Sequence, residues 1–233
     1  MQRVIVVGAT GGIGSSTAIL FASAGFRVAL VGRSLDKVED IAANIRSKGG
    51  EADSYRLDLM GSEDISEKIA SIAAVGGVDV LVNLAGVASV SSLAETSLSS
   101  WRNCIDINLT SVFQAVQGVI PKMREQKGGT IINVASIAAH NSFVNWGAYS
   151  VSKAGLVKFS EILSLEEKIN GIRVMVISPG AVDICLWHDV DVGFDRTIML
   201  SPDVVAQSIL HAALLPPSAT IQEMIITPSA GAL

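Results

Sequence analysis

The sequence predicts an α/β protein in which a doubly wound parallel sheet of about seven strands carries helices on both faces. Short apolar runs rich in β-branched residues alternate with helical patterns along the whole chain. No low-complexity stretch, internal repeat or linker interrupts that alternation. Alternating strands and helices favour right-handed crossovers between parallel strands. The 233 residues are therefore expected to form one domain, residues 1–233.

The predicted elements follow the apolar periodicity in chain order. Short apolar runs bounded by turn residues indicate buried strands, and longer segments with a helical period indicate helices. The stretch 184–201 is the least regular. The predicted strands are residues 2–8, 27–32, 52–57, 79–84, 129–135, 172–178 and 222–227, and the predicted helices are residues 12–24, 35–48, 62–75, 96–125, 147–170 and 202–214.

A glycine-rich turn, with Gly8, Gly12 and Gly14, joins the first predicted strand to the first predicted helix. A helix N-terminus binds phosphate through its unpaired N–H groups and partial positive charge. Glycines let the backbone approach a pyrophosphate closely. The position between a strand and a helix is the context that this motif requires. We therefore predict a Rossmann-like dinucleotide site; the alternative is a tight turn without a ligand.

The residues after the second predicted strand indicate which dinucleotide would bind. An acidic residue about 20 positions after the glycine turn typically binds the ribose 2′-hydroxyl of NAD. Here Arg33 lies 19 residues after Gly14, and no acidic residue lies between them. A guanidinium suits a 2′-phosphate, and Ser34 adds a hydroxyl donor. We predict NADP; NAD is the alternative if Asp36 turns back, although its position suits a first-turn helical acid better.

A tyrosine and a lysine four residues apart, Tyr149 and Lys153, would share one face of the predicted helix 147–170. A free phenol has a pKa near ~10, and we expect a nearby buried ammonium to lower the pKa of Tyr149. Such a tyrosine exchanges a proton with an alcohol or carbonyl oxygen. Ser136 follows the predicted fifth strand, where its hydroxyl can hold that oxygen. The pair alone is common by chance, so the glycine-rich turn gives it weight.

Together these residues resemble the short-chain dehydrogenase/reductase family, in its compact single-domain branch with 3-oxoacyl reductase-like members. The glycine turn matches the family's Gly-x-x-x-Gly-x-Gly. Residues 83–86 match its Asn-Asn-Ala-Gly motif, except that Leu84 replaces the second asparagine. The match continues, in order, with the catalytic tetrad and the Pro-Gly after the sixth strand: Asn108, Ser136, Tyr149, Lys153, Pro179 and Gly180.

The resemblance implies an NAD(P)-dependent oxidoreductase that moves a hydride between nicotinamide and a ketone or secondary alcohol. Tyr149 would be the acid and base, and Ser136 would orient the substrate oxygen. Lys153 would hold the nicotinamide ribose, and Asn108 would interrupt its helix and position a water. The implied cofactor contacts, with Asp58 at the adenine, are Gly8, Thr10, Gly12, Ile13, Gly14, Arg33, Ser34, Asp58, Leu59, Asn83, Ala85, Gly86, Tyr149, Lys153, Pro179, Gly180 and Val182.

Two departures from the family pattern concern the cofactor. The family often has a threonine that contacts the nicotinamide carboxamide where this chain has Ile184. Backbone contacts at Val182 can remain. The glycine turn also lacks the basic residue that many NADP-using members carry, which weakens the prediction of NADP.

Composition and charge exclude several other classes. The 49% hydrophobic content and the mean hydropathy of +0.49 indicate a large buried interior. No apolar run reaches the ~20 residues of a membrane span. The net charge of −5, without a basic run, argues against nucleic acid. No residues have metal-ligand spacing. Cys104, Cys185 and a first strand that leaves no room for a signal peptide predict a cytoplasmic protein with reduced thiols.

The substrate is predicted as a class only. The candidate pocket residues are mostly apolar, although ordinary packing explains each of them equally well. They suggest a mostly apolar ketone, secondary alcohol or acyl chain, for example a 3-oxoacyl thioester. The candidates are Val87, His140, Phe143, Trp146, Leu186 and Trp187.

Two other functions remain open. A sugar-nucleotide epimerase or dehydratase could use the same tyrosine and lysine, and the glycine spacing Gly8, Gly11 and Gly14 also fits that branch. Such enzymes usually have a longer C-terminal substrate region. A non-catalytic dinucleotide-sensing regulator is the other alternative, but a sensor has no need of a proton donor.

The sequence also predicts self-association. Helices 96–125 and 147–170 carry more apolar residues than one buried face needs, and in the family they pair across a two-fold axis. Residues 224–228 would leave an exposed apolar edge, which a second axis would cover. We predict a homotetramer, with a dimer as the alternative. The apolar residues concerned are Val112, Phe113, Val116 and Val119, then Leu156, Val157, Phe159, Ile162 and Leu163.

Overall fold

The computed structural model describes residues 1–61, 64–184 and 196–231. In these ranges seven strands form one sheet in which every neighbouring pair is parallel. The strands are β1 (Arg3–Val7), β2 (Arg27–Gly32), β3 (Glu51–Arg56), β4 (Val80–Asn83), β5 (Gly129–Val134), β6 (Ile172–Pro179) and β7 (Glu223–Ile226). All seven predicted strands are confirmed, and their ends differ from the predicted ends by no more than one residue.

The strand order β3-β2-β1-β4-β5-β6-β7 reverses direction between β1 and β4. Val7 pairs with Val31 on one side and with Asn83 on the other, so the carboxyl ends of three strands meet there. In doubly wound sheets ligands bind in the crevice at such a reversal. The Rossmann-like parallel sheet that the sequence predicts is therefore confirmed, with its crevice beside the glycine turn.

Helices cover both faces of the sheet. The α-helices are α1 (Gly12–Ser23), α2 (Leu35–Ser47), α3 (Ile65–Ala74), α4 (Leu98–Ile105), α5 (Ser111–Glu125), α6 (Gly147–Glu167) and α7 (Pro202–Ala213). One buried cluster packs α3, α5 and α6 on the sheet, with Ile69, Val116 and Leu156 fully or almost fully buried. The other packs α1, α2 and α7, and contains Phe21 and Ile209.

The predicted helix 96–125 is interrupted around Asn108, as the family resemblance implies, and it begins two residues later than predicted. Helix α4 continues into a π-helical turn over Asp106–Thr110 before α5 begins. This turn holds Asn108, whose buried side chain bonds to the backbone of Val87 instead of facing solvent. A π-turn inside an α-helix adds a residue to the turn and often marks a functional site.

The remaining helices agree with the sequence at their C-terminal ends to within one to three residues. Asp64 caps α3 by accepting a hydrogen bond from the Glu67 N–H, so α3 begins later than predicted, and residues 62–63 lie outside the described ranges. The end of the predicted helix 147–170 is a 3₁₀ turn over Lys168–Asn170. Within the described ranges, the structure contains no helix with the length and apolar character of a bilayer span.

Candidate active site

The glycine turn has a backbone that side chains could not share. Gly8 has a φ of +88°, and a Cβ there would lie 2.6 Å from the Ala85 nitrogen. A Cβ on Gly14 would lie 2.2 Å from the Gly8 carbonyl oxygen. No side chain caps α1 at Gly11, so side chains leave the first N–H groups of the helix unbonded. The turn thus has the close approach and the free donors that a pyrophosphate needs.

The segment after β4 lies directly beside this turn. Gly86 is exposed, and a Cβ there would lie 3.4 Å from Asn108 Oδ1 and 3.5 Å from Lys153 Nζ. Ala85 contacts the turn through Gly8, as described above. The structure therefore brings Ala85 and Gly86 between the glycine turn and two tetrad residues, as the predicted cofactor site requires.

The Asn83 side chain is buried inside the protein and bonds to another side chain, whereas a direct cofactor contact would need it to face the crevice. Its buried side chain donates to Asn133 Oδ1 at 2.8 Å, and Asn133 in turn donates to Ser160. Asn83 Oδ1 has no hydrogen-bond partner within the described part of the chain. The Asn83 amide group thus joins β4 to β5 and α6. A cofactor contact through this side chain stays a prediction.

Arg33 and Ser34 lie at the end of β2, next to the glycine turn. The Gly8 and Ala9 N–H groups both donate to the Val31 carbonyl, which ties the turn to this strand end. Arg33 is exposed, and no described acidic side chain forms an ion pair with it. The Ser34 side chain makes no capping bond to α2. Both groups are thus available for an anion, while Asp36 occupies the first turn of α2.

Asp58 and Leu59 follow β3, one strand farther from the reversal. Asp58 Oδ1 accepts a hydrogen bond from the Met60 N–H at 3.1 Å, which fixes a short turn. Leu59 packs partly buried against the core. Because β3 is an edge strand next to β2, this turn lies on the same side of the crevice as Arg33 and Ser34, the residues predicted to bind the ribose. Its contact with adenine stays a prediction.

Ser136 and Tyr149 come together as predicted, but the phenol has an unexpected pKa. Burial raises the pKa of Tyr149 above its ordinary value, and a hydrogen bond with the Ser136 hydroxyl acts in the opposite, lowering direction. The expectation that a neighbouring ammonium lowers this pKa is wrong in this structure, because the loss of hydration outweighs the favourable contacts. The Tyr149 hydroxyl therefore keeps its proton at neutral pH.

Lys153 is buried below the Tyr149 ring. Its Nζ lies 5.9 Å from the ring centroid and donates to the Val134 carbonyl at 2.8 Å. Only 4% of the side chain is exposed. Burial lowers the pKa of the ammonium to about 8. The lysine is mostly charged at neutral pH and becomes neutral as the pH rises above about 8, so its charge depends on mild changes of pH.

Asn108 links the π-turn to the residues around Lys153. Its Oδ1 accepts from the Val87 N–H at 2.8 Å, and its Nδ2 donates to the Val87 carbonyl and to Ser152 Oγ, each at 2.9 Å. Ser152 directly precedes Lys153 in α6. The oxygen and nitrogen of the Asn108 amide group are therefore both engaged, and they join the segment after β4 to the part of α6 that carries Lys153.

The segment after β6 completes the crevice. The Gly180 N–H donates to the Ile226 carbonyl at 2.7 Å, and Val182 forms an isolated parallel bridge with Leu200. Ile184 packs on the glycine turn, since a Cβ on Gly12 would lie 2.8 Å from its Cγ2. Pro179, Gly180 and Val182 are thus next to the crevice, and Ile184 adds an apolar contact at the turn.

The structure describes four of the six candidate pocket residues and places them in different surroundings. Trp146 packs edge-on to Tyr149, with ring centroids 5.5 Å apart. Val87 bonds to Asn108 as described, and Phe143 is partly exposed. His140 instead pairs with Glu223 on β7, a residue that the sequence analysis missed because no local motif marks it. The other two candidates, Leu186 and Trp187, lie outside the described ranges, as does Cys185.

These positions fit a dinucleotide. The glycine turn offers N–H groups without a side-chain cap, and a Cβ on Gly8 or Gly14 would overlap backbone atoms. Arg33 supplies an exposed cation that pairs with no acidic side chain of the described ranges. The tetrad lies at the other end of the same crevice. Among the described residues, no cluster of three His, Cys, Asp or Glu side chains is placed to hold a metal ion.

Comparison with known proteins agrees with this geometry. An uncharacterised oxidoreductase of Staphylococcus saprophyticus is 32% identical over 243 residues, covering 99% of this chain and 97% of the relative. A metagenomic short-chain oxidoreductase solved with NADP is 30% identical, covers 98% and 97% of the two chains and has a TM-score of 0.86.

A second solved structure gives the same fold with another ligand pair. It is a 7α-hydroxysteroid dehydrogenase complexed with NADH and 7-oxo-glycochenodeoxycholic acid, 27% identical, with a TM-score of 0.90 and coverage of 100% and 94%. The family model for short chain dehydrogenases matches residues 2–191. Since that match spans most of the chain and the family's motifs meet in one crevice, the chain belongs to the short-chain dehydrogenase family.

Proposed function

We propose that this protein is an NADP-dependent oxidoreductase that reduces an apolar ketone, or oxidises the matching secondary alcohol, with Tyr149 as acid and base. The observation that carries the proposal is the contact of a neutral phenol, the Ser136 hydroxyl and a buried lysine at one end of a dinucleotide-shaped crevice. The solved relatives bind NADP in one case and NADH with an oxo-steroid in the other. Both are nicotinamide enzymes.

The proposed reaction divides its tasks among four side chains. The Ser136 hydroxyl orients the carbonyl oxygen beside the Tyr149 hydroxyl. The phenol donates its proton to that oxygen in reduction, and the raised pKa keeps the proton in place until it is needed. When bound, the nicotinamide supplies or accepts the hydride. The Lys153 ammonium stabilises the phenolate that remains, and Asn108 holds the Val87 backbone and the Ser152 hydroxyl.

The preference for NADP rests on Arg33 and Ser34. A 2′-phosphate is negatively charged, and its oxygens accept hydrogen bonds. The exposed guanidinium of Arg33 and the hydroxyl of Ser34, which makes no capping bond to α2, can bind it at the end of β2. Asp36, the acid that would favour NAD, lies one helical turn away and in the first turn of α2. The relatives do not decide between the two cofactors, so this chain's own residues support the choice.

The proposed substrate class follows from the rim of the crevice. Trp146 lies against the Tyr149 ring, and Phe143 in the same segment is partly exposed. Val87, which bonds to Asn108, is also partly exposed. Aromatic and aliphatic side chains favour an apolar group next to the reacting carbonyl. A 3-oxoacyl thioester and a simple apolar ketone both satisfy this description.

The decisive experiment is Tyr149→Phe, which removes the proton donor and keeps the ring. NADPH oxidation with a panel of apolar ketones and 3-oxoacyl thioesters, followed by nicotinamide absorbance, should fall by roughly 10²- to 10⁴-fold. Fluorescence titration should show that NADPH still binds the variant. Turnover close to that of the wild type would reject the proposed role of Tyr149, and a wild type without activity on any carbonyl would reject the proposed function.

A further inference from the structure

Three polar side chains form a hydrogen-bonded group at the outer side of the active site. Oε1 of Glu223 accepts a bond from Ser178 Oγ at 2.5 Å and pairs with His140 Nε2 at 2.6 Å. Ser178 is fully buried, while 22% of the Glu223 side chain and 38% of the His140 side chain are exposed. One carboxylate oxygen thus joins side chains that lie far apart in the chain.

Each partner of Glu223 belongs to a different segment of the site. His140 ends the 3₁₀ turn over Ile137–Ala139 that begins at Ser136. The His140 N–H donates to the Ile137 carbonyl at 3.0 Å, so the His140 backbone belongs to that turn and its ring is the part that reaches Glu223. Ser178 directly precedes Pro179 at the end of β6. Glu223 therefore connects the segment of the catalytic serine to the segment predicted to contact nicotinamide.

The strand that carries Glu223 is well placed for this connection. Glu223 is the first residue of β7, which pairs only with β6 along the described part of the sheet. The same strand accepts the Gly180 N–H through the Ile226 carbonyl. Strand β7 thus bonds to the end of β6 through Glu223 and the Ile226 carbonyl, and Glu223 also bonds to His140 in the turn after β5. Both segments are therefore hydrogen-bonded to β7.

We propose that Glu223 is a positioning residue for this enzyme: its carboxylate fixes the Ser136–His140 turn relative to the Ser178–Gly180 segment. A charged acceptor makes shorter and stronger hydrogen bonds than a neutral one. A shift of about 1 Å in a catalytic group can cost on the order of 10²-fold in rate, so a fixed distance between these segments matters for catalysis. This inference rests on the proposed function in one respect: the kinetic part of its test measures carbonyl reduction.

The test compares single and double variants of the group. Glu223→Ala and His140→Ala should each lower kcat for carbonyl reduction about 10-fold, and the double variant should be no worse than Glu223→Ala because both changes break one connection. Ser178→Ala and Glu223→Ala should raise the KM for NADPH, whereas His140→Ala should leave it unchanged. Glu223→Gln, which keeps an acceptor oxygen, and His140→Gln, which keeps a donor, should restore part of the loss.

The matched controls are His211→Ala on the exposed end of α7 and Glu125→Gln in the exposed Lys122 pair, and both should keep wild-type kinetics. Additive losses in the double variant, or an equal fall of kcat in the controls, would overturn the proposal. So would kinetic effects that simply follow the midpoint of thermal unfolding.

Hydrogen exchange separates this inference from the proposed function. In Glu223→Ala and His140→Ala the amides of Ala139, His140 and Asn141, which bond within the turn after Ser136, should exchange about 10-fold faster than in the wild type. This measurement needs no substrate. Unchanged exchange there would reject the positioning role even if the enzyme reduces carbonyls, and faster exchange would support it even if no carbonyl in the panel is turned over.

Discussion

At the scale of a single residue, the buried Lys153 ammonium lowers the stability of the folded protein. The ammonium is almost entirely buried, and within the described part of the chain it donates a hydrogen bond to the Val134 carbonyl and pairs with no carboxylate. Burial lowers its pKa to about 8 from an ordinary value of 10.5. A buried cation without a carboxylate partner destabilises the folded protein. A lysine in such a place therefore indicates a functional role and not a stabilising one.

The first prediction is that Lys153→Met stabilises the protein at pH 7 while it removes turnover. The unfolded chain releases the lysine proton only near pH 10.5, so the cost of burying the charge is fully present below pH 8 and disappears between these values. We expect a gain in the free energy of unfolding of up to about 3 kcal/mol at pH 7, reduced by the lost hydrogen bond.

Urea unfolding at pH 7 and at pH 10 measures this effect. At pH 10 the gain should fall to about 1 kcal/mol or less, because that pH is well above the pKa in the folded protein and close to the ordinary value of 10.5. The control Lys158→Met removes an exposed lysine from the same helix and should not stabilise the protein at either pH. A Lys153→Met variant that is less stable than the wild type at pH 7 would contradict the assigned environment.

The second prediction concerns the cofactor. Arg33→Ala should weaken NADPH binding by about 10- to 100-fold and NADH binding by much less, because only NADPH carries the 2′-phosphate that the guanidinium would bind. Fluorescence titration with both cofactors measures the difference, with Lys48→Ala at the far end of α2 as the control. A wild-type enzyme with a higher kcat/KM for NADH would overturn the preference for NADP.

At the scale of elements, the junction between β1 and α1 depends on two close backbone contacts. A Cβ on Gly14 would overlap the Gly8 carbonyl, and the neighbouring Gly8 needs a positive φ. Such contacts cannot relax through a side chain, because both partners are backbone atoms of elements buried in the core.

The third prediction compares two glycines of this turn. Gly14→Ala should lower the free energy of unfolding by about 2 kcal/mol or more, since overpacking against backbone is costly. Gly11→Ala should have a small effect, because its Cβ would lie at an ordinary 3.6 Å from the Gly8 oxygen. Denaturant unfolding of both variants gives the comparison; similar losses for the two would show that helix propensity, and not the close approach, decides.

At the scale of the whole molecule, apolar residues remain exposed on the outer surface of α5 and α6. Most of the apolar residues expected to form an interface are instead buried against the sheet, among them Val116, Val119 and Leu156. Phe113 is 44% exposed and packs edge-on to Phe159, and Ile162 is 50% exposed. Fewer apolar residues of α5 and α6 are therefore exposed for an interface than the sequence predicts. Ile225 on the edge strand β7 is 56% exposed.

The fourth prediction is that the protein self-associates through these surfaces. A homotetramer with dihedral symmetry would bury both, and a dimer is the alternative. Light scattering at micromolar concentration should give a mass above one chain, and Phe113→Glu with Ile162→Glu should lower it. A monodisperse 24.3 kDa species for the unchanged protein would refute the prediction.

The sequence by itself determined the elements and their order. Strands buried on both faces are continuous apolar runs, such as residues 3–7, and helices such as α1 begin at recognisable turn residues. It also determined the tetrad and the glycine turn, because their spacing along the chain is part of the motif. These features depend on neighbours within a few residues, which the sequence shows directly.

Only the tertiary structure decided the environments of those residues. The raised pKa of Tyr149 and the lowered pKa of Lys153 depend on burial by other elements. The bonds of Asn83 to Asn133 and of His140 to Glu223 join residues 50 and 83 positions apart. Such long-range contacts follow from packing of the whole sheet and leave no local pattern, because any polar residue at the right point of another strand could serve.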